Sequence, residues 1–124
     1  MNTKNNRDDF NQCAALVFDL LYKKFPMEAE IIVEELTELL NENMTDNYFA
    51  TIRFLQREGF IRYQEFNFGT FSGAVLTSKG LKILDTIPSV AKEETIAQQL
   101  NTALIEKSQK NVGIVIREMI KLSV

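Results

Sequence analysis

Apolar residues first recur at helical spacing near the start of the chain. Phe10, Cys13, Ala14, Val17, Phe18, Leu21 and Tyr22 share one face of a 3.6-residue repeat. Asp8 or Asp9 offers an N-cap ahead of them. Lys23 and Lys24 suit the negative end of that helix, and Pro26 stops it. Glu30-Ile31-Ile32-Val33 has three adjacent β-branched residues, which favours a short strand. Residues 34–40 predict a short second helix with Leu36, Leu39 and Leu40 inward. Asn41-Glu42-Asn43 reads as a turn. Thr45 is a good N-cap for a third helix, running to about Glu58 with Tyr48, Phe49, Ile52 and Leu55 inward. Gly59 stands where a terminating glycine belongs.

After Gly59 the period changes. Residues 60–68 are rich in aromatic and β-forming side chains, and residues 70–77 continue them. Gly69 and Gly73 bracket a tight connection, so a β-hairpin is expected. Thr77 caps a fourth helix over 78–86, with Leu81 and Leu84 inward and Pro88 beyond its end. The last third contains no proline and no strand signal. Ile96, Leu100, Ala103 and Leu104 form one helical stripe. Val112, Val115, Ile116, Met119 and Ile120 form another, and the polar stretch 107–111 separates them. The organisation expected is a flexible leader (1–9), a body (10–88) and a C-terminal helical extension (89–124) for packing or dimerisation.

Composition narrows the chemistry. The chain has 124 residues, 45% of them hydrophobic and 25% charged, an ordinary globular balance. It contains one cysteine, Cys13, and no histidine. A Cys/His zinc site or a nucleophile–histidine pair therefore has no residues to build it from within one chain. No disulfide framework is expected, and Cys13, flanked by Ala14, Ala15 and Leu16, reads as a small buried hydrophobe. The first nine residues lack the apolar core of a secretory signal, and no apolar run approaches the length of a membrane span. A cytoplasmic protein without metal, cofactor or membrane association is the expectation. No catalytic constellation stands out: Glu34, Glu35 and Glu38 read as a solvated helix face. Gly69-Thr70-Phe71-Ser72-Gly73 lacks the lysine and helix start of a phosphate loop.

Two segments carry a resemblance. Residues 52–62, Ile-Arg-Phe-Leu-Gln-Arg-Glu-Gly-Phe-Ile-Arg, look like a recognition helix running through its glycine cap into a wing strand. Leu76-Thr77-Ser78-Lys79-Gly80-Leu81 is similar to the segment that leaves the wing in many bacterial winged-helix regulators. Together with the element order, they make residues 10–87 resemble the winged helix-turn-helix family. The fold class implied is mainly α with a small β-hairpin wing, a winged helix-turn-helix followed by C-terminal helices. The resemblance also implies a DNA-binding regulator. Asn47, Ala50 and Thr51, on the outer face of the third helix, would then read bases, and Arg53 and Arg57 would reach phosphates.

Charge argues the other way. The net charge is −3. Residues 31–59, which would approach DNA, carry six carboxylates against Arg53 and Arg57 alone. Phosphate neutralisation supplies essentially all non-specific DNA affinity, so such binding is expected to be weak. The hairpin tip, residues 66–73, has no cation and three phenylalanines. Phe54, Phe66, Phe68 and Phe71 suit protein contact better than phosphate, unless two of the hairpin rings fold onto the core. Two readings stay open: a DNA-binding regulator, or a winged-helix scaffold used for protein–protein interaction. In both, the C-terminal stripes suggest a homodimer with Ile116, Met119 and Ile120 at or near its interface.

Overall fold

Helix α1 (Asn6–Lys24) is the element on which the other layers assemble. The computed structural model describes residues 6–37, 42–89 and 93–124. Cys13, Ala14, Ala15, Val17 and Phe18 are all buried, and three adjacent buried positions span more than half the helix circumference. Small side chains there let neighbours approach from several sides. The helix begins at Asn6, ahead of the expected cap. Asp8 and Asp9 thus lie in its first turn, where carboxylates complement the dipole.

Strand β1 (Ala29–Ile32) follows, then a four-residue helix α2 (Val33–Leu36). Helix α2 is shorter than expected because Thr37 is already extended, its hydroxyl donating to the Glu34 carbonyl at 3.2 Å. Leu39, Leu40 and Asn41 lie outside the described residues. Helix α3 (Glu42–Arg57) starts before Thr45, so Thr45 is not its cap and Glu42-Asn43 is helix rather than turn. Residues 38–58 contain neither proline nor glycine, so nothing in the backbone stops the helix from reaching back.

The far end of α3 matches expectation in detail. Gly59 adopts φ +81°. Its N–H bonds the Gln56 carbonyl at 3.0 Å, and the Phe60 N–H bonds the Leu55 carbonyl at 2.9 Å. These are the two bonds of a Schellman cap.

Strands β2 (Ile61–Arg62), β3 (Glu65–Asn67) and β4 (Thr70–Leu76) complete a small antiparallel sheet with β4 in the middle. Arg62 pairs Val75 and Glu65 pairs Ser72, so β2 and β3 are two parts of one hairpin arm. The gap between them is closed from α3: the Gln56 side chain accepts the Tyr63 N–H at 2.9 Å. Strand β1 pairs the other edge of β4, with a register shift between Ala29↔Ala74 and Ile31↔Phe71. Gly73, at φ +68°, lies at that bulge. It therefore does not bracket the hairpin turn. The turn is Phe68-Gly69, both with positive φ (51° and 78°), as a two-residue type I′ connection requires.

Helix α4 (Ser78–Leu84) starts from Thr77, whose hydroxyl accepts the Gly80 N–H at 3.1 Å. Helices α5 (Ile96–Ile105) and α6 (Gln109–Leu122) form the C-terminal pair. Thr95 and Gln98 make a reciprocal capping box on α5, and Ser108 caps α6. Both helices pack on α1 and on each other. Ile96, Leu100, Val112, Ile116 and Met119 join Val17, Leu21, Ile52 and Phe71 in one apolar core. Ile116 and Met119, expected at a homodimer interface, are each 1% exposed within the chain itself, and Ile120 is half-buried against the same core. The second stripe is covered by α1 and α5, which removes the reason for assigning it to a second copy.

Among the described residues, no helix is long and apolar enough to cross a membrane. No group of three or more ligating side chains there is placed to hold a metal.

Candidate interaction surface

The outward face of α3 and the tip of the β3–β4 hairpin form one region of the surface. The rotation of α3 is fixed by Tyr48, Ile52 and Leu55, all buried. That rotation decides which of the expected base-reading residues reach solvent. Asn47 does not point outward: its amide donates to Asp9 at 2.7 Å and to Asn6 at 3.0 Å, both on α1. Thr51 is 4% exposed, and its hydroxyl donates back to the Asn47 carbonyl at 2.7 Å. Asn47 belongs to the α1–α3 contact and Thr51 is buried, so their assignment to the outer face is corrected. Ala50, Arg53, Phe54 and Arg57 are exposed.

The aromatic residues divide into packed and free. Phe71 is fully buried. Phe66 stacks on it at 4.4 Å between centroids and meets Phe49 edge-on at 5.2 Å. The Arg53 guanidinium sits 5.4 Å from the centre of the Phe66 ring, within cation–π range. One of the two exposed α3 arginines is thus partly engaged by the hairpin. Phe54 meets Phe10 edge-on at 5.5 Å. Among the described residues Phe68 makes no ring contact, and it is fully exposed at the hairpin tip. Two of the three hairpin phenylalanines therefore serve the fold and one faces water.

The tip is held at its base. The Val33 N–H donates to the Gly69 carbonyl at 3.1 Å, tying the turn to the start of α2. The segment after the hairpin fastens the other end. The Thr77 N–H and hydroxyl reach the Phe60 carbonyl at 3.1 and 3.0 Å, and the hydroxyl lies 2.5 Å from the Gly59 carbonyl. Lys79 donates to the Glu58 carbonyl at 2.8 Å. The Leu-Thr-Ser-Lys-Gly segment thus satisfies carbonyls that the end of α3 leaves open. Gly80 is obligatory there, since a Cβ would stand 2.3 Å from the Phe60 carbonyl oxygen.

Electrostatically the region is poor in cations. Residues 63–78 contain none, and Glu34, Glu35, Asp46, Glu58 and Glu65 are exposed. Cys13 is fully buried with its thiol on the Tyr48 carbonyl at 3.7 Å. Burial, and secondarily the Asp9 charge, pushes the thiol well above its usual range. Burial likewise raises the Tyr48 phenol.

Sequence reasoning found this region but not its internal division. Helical spacing shows Asn47 and Thr51 as polar, and polar residues are read as outward. What singles out Phe68 is its place before Gly69 in a two-residue turn, a signal present in Asn67-Phe68-Gly69-Thr70. The chain matches no protein-family model, no curated protein and no solved structure.

Proposed function

We propose that this chain is a non-enzymatic protein-interaction module built on a winged-helix-like scaffold, with the α3 face and hairpin tip as its contact surface. The observation that carries this reading is Phe68. A phenylalanine at φ +51°, fully exposed at the tip of a tethered turn, is unfavourable for the isolated fold on two counts: its backbone conformation and its hydration. An aromatic ring on a rigid support is what a protein interface uses as an anchor. The occupant that fits is a partner protein with an apolar pocket for the ring, flanked by polar groups that tolerate the surrounding carboxylates. Inward-turned Asn47 and Thr51, and a cation-free tip, weigh against duplex DNA as the ligand.

The test is capture from native lysate on the immobilised chain, with and without nuclease, analysed for both protein and DNA. A protein retained after nuclease treatment is the expected result. Nuclease-sensitive capture, or a shift of random duplex DNA at sub-micromolar protein in physiological salt, contradicts the reading. In that case Arg53→Ala and Arg57→Ala should weaken DNA binding across all sequences.

A further inference from the structure

Helix α6 turns Val112, Val115, Ile116 and Met119 into the core. Its opposite side carries Lys110, Ile114, Arg117 and Lys121, all exposed. Steps of four, three and four residues align them along one ridge, about 16 Å long at 1.5 Å per residue. Ile114, 49% exposed, stands among the three cations. Three other cations of this chain are held by contacts: Lys23 pairs with Asp19 at 2.9 Å, Lys79 bonds a carbonyl and Arg53 covers a ring. No contact of those kinds holds Lys110, Arg117 or Lys121 among the described residues.

We propose that this ridge docks an acidic protein segment carrying an apolar side chain among its carboxylates, with Ile114 as the apolar contact. Three features select that occupant. The apolar face a membrane-surface helix would insert is already consumed in the core, leaving Ile114 in its place. A long polyanion such as duplex DNA would also meet the remainder of a chain with net charge −3. A short acidic segment senses charge only within about 8 Å at physiological salt, so it experiences the ridge and little else. This proposal rests on residues other than those of the α3–hairpin surface, and the two proposals stand or fall independently.

The experiment is fluorescence anisotropy on the full chain with four labelled probes. These are a 15-residue helix-forming peptide with four glutamates around a central leucine, its glutamine counterpart, a random 20-base-pair duplex, and phosphatidylserine-containing vesicles. The acidic peptide is expected to bind, and 0.5 M salt should weaken it. The Arg117→Gln/Lys121→Gln variant should lose about tenfold in affinity, the sum of two exposed charge pairs. Ile114→Gln should weaken it about threefold, as partial loss of an apolar contact. All three positions are solvent-facing, and circular dichroism verifies that the variants stay folded. A Lys24→Gln/Lys82→Gln control, equal in charge change, should leave binding within about twofold. Equal binding of the glutamine peptide, an unaffected double variant, an equally affected control, or tighter binding of duplex or vesicles overturns the proposal.

Discussion

Single residues decide how this surface is divided between fold and contact. Gly80 is one such residue, because its Cα faces the Phe60 carbonyl at a distance no Cβ can share. Gly80→Ala should cost about 2–4 kcal/mol, the range for forced backbone displacement in a packed site, read as a lowered denaturant midpoint. Tyr22 is another. Its phenol donates to Asp85 at 2.7 Å, joining the end of α1 to the end of α4. That hydrogen bond, then burial and the Asp85 charge, raises the Tyr22 pKa in the folded state. A raised folded value means stability that is complete below the unfolded tyrosine pKa of about 10 and is lost as pH rises through the folded value. Cys13 and Tyr48 shift in the same direction, so the decline should begin above the unfolded thiol value of about 8.5. Melting temperature followed from pH 8 to 11 should fall, and Tyr22→Phe should fall less steeply. A melting temperature flat across that range contradicts the assignment.

At the scale of elements, α3 shows what the sequence can and cannot reveal. Its apolar stripe and Gly59 cap were legible because they depend on local spacing and one backbone conformation. Its start was not, because Thr45 favours a cap but does not compel one when no breaker precedes it. The orientation of Asn47 and Thr51 was illegible for a different reason. A polar side chain at helical spacing carries no mark of whether its partner is water or another helix. For Asn47 the partners are Asn6 and Asp9 of α1, far away in sequence, while Thr51 is buried and turns back onto the Asn47 carbonyl of its own helix. The Leu-Thr-Ser-Lys-Gly segment was legible as a pattern, and its physical reason is the sealing of the α3 terminus. Thr77→Ala removes the α4 cap and the hydroxyl's bonds to the Gly59 and Phe60 carbonyls, and keeps the backbone N–H bond to Phe60. It should cost about 1–2 kcal/mol, measured by chemical denaturation. A neutral Thr77→Ala would mean that water replaces those bonds without loss.

For the whole molecule, the C-terminal helices are part of the structural core and not an attachment to it. The sequence suggests a second copy for the α6 stripe, whereas α1, through its buried run of Cys13, Ala14 and Ala15, accepts neighbours on several sides. Ile116→Asp should therefore unfold the chain, at several kcal/mol for an unpaired buried carboxylate, with loss of the helical circular dichroism signal. A folded variant that merely changed oligomeric state would contradict the burial of Ile116. The central claim is that Phe68 serves a partner and not the fold. The most direct test is Phe68→Asn, which places the residue type a type I′ turn favours at that position. The account predicts a gain of a few tenths to about 1 kcal/mol in stability, together with loss of the nuclease-resistant protein captured by the wild-type chain. A destabilised variant, or one that retains the captured protein undiminished, would contradict it.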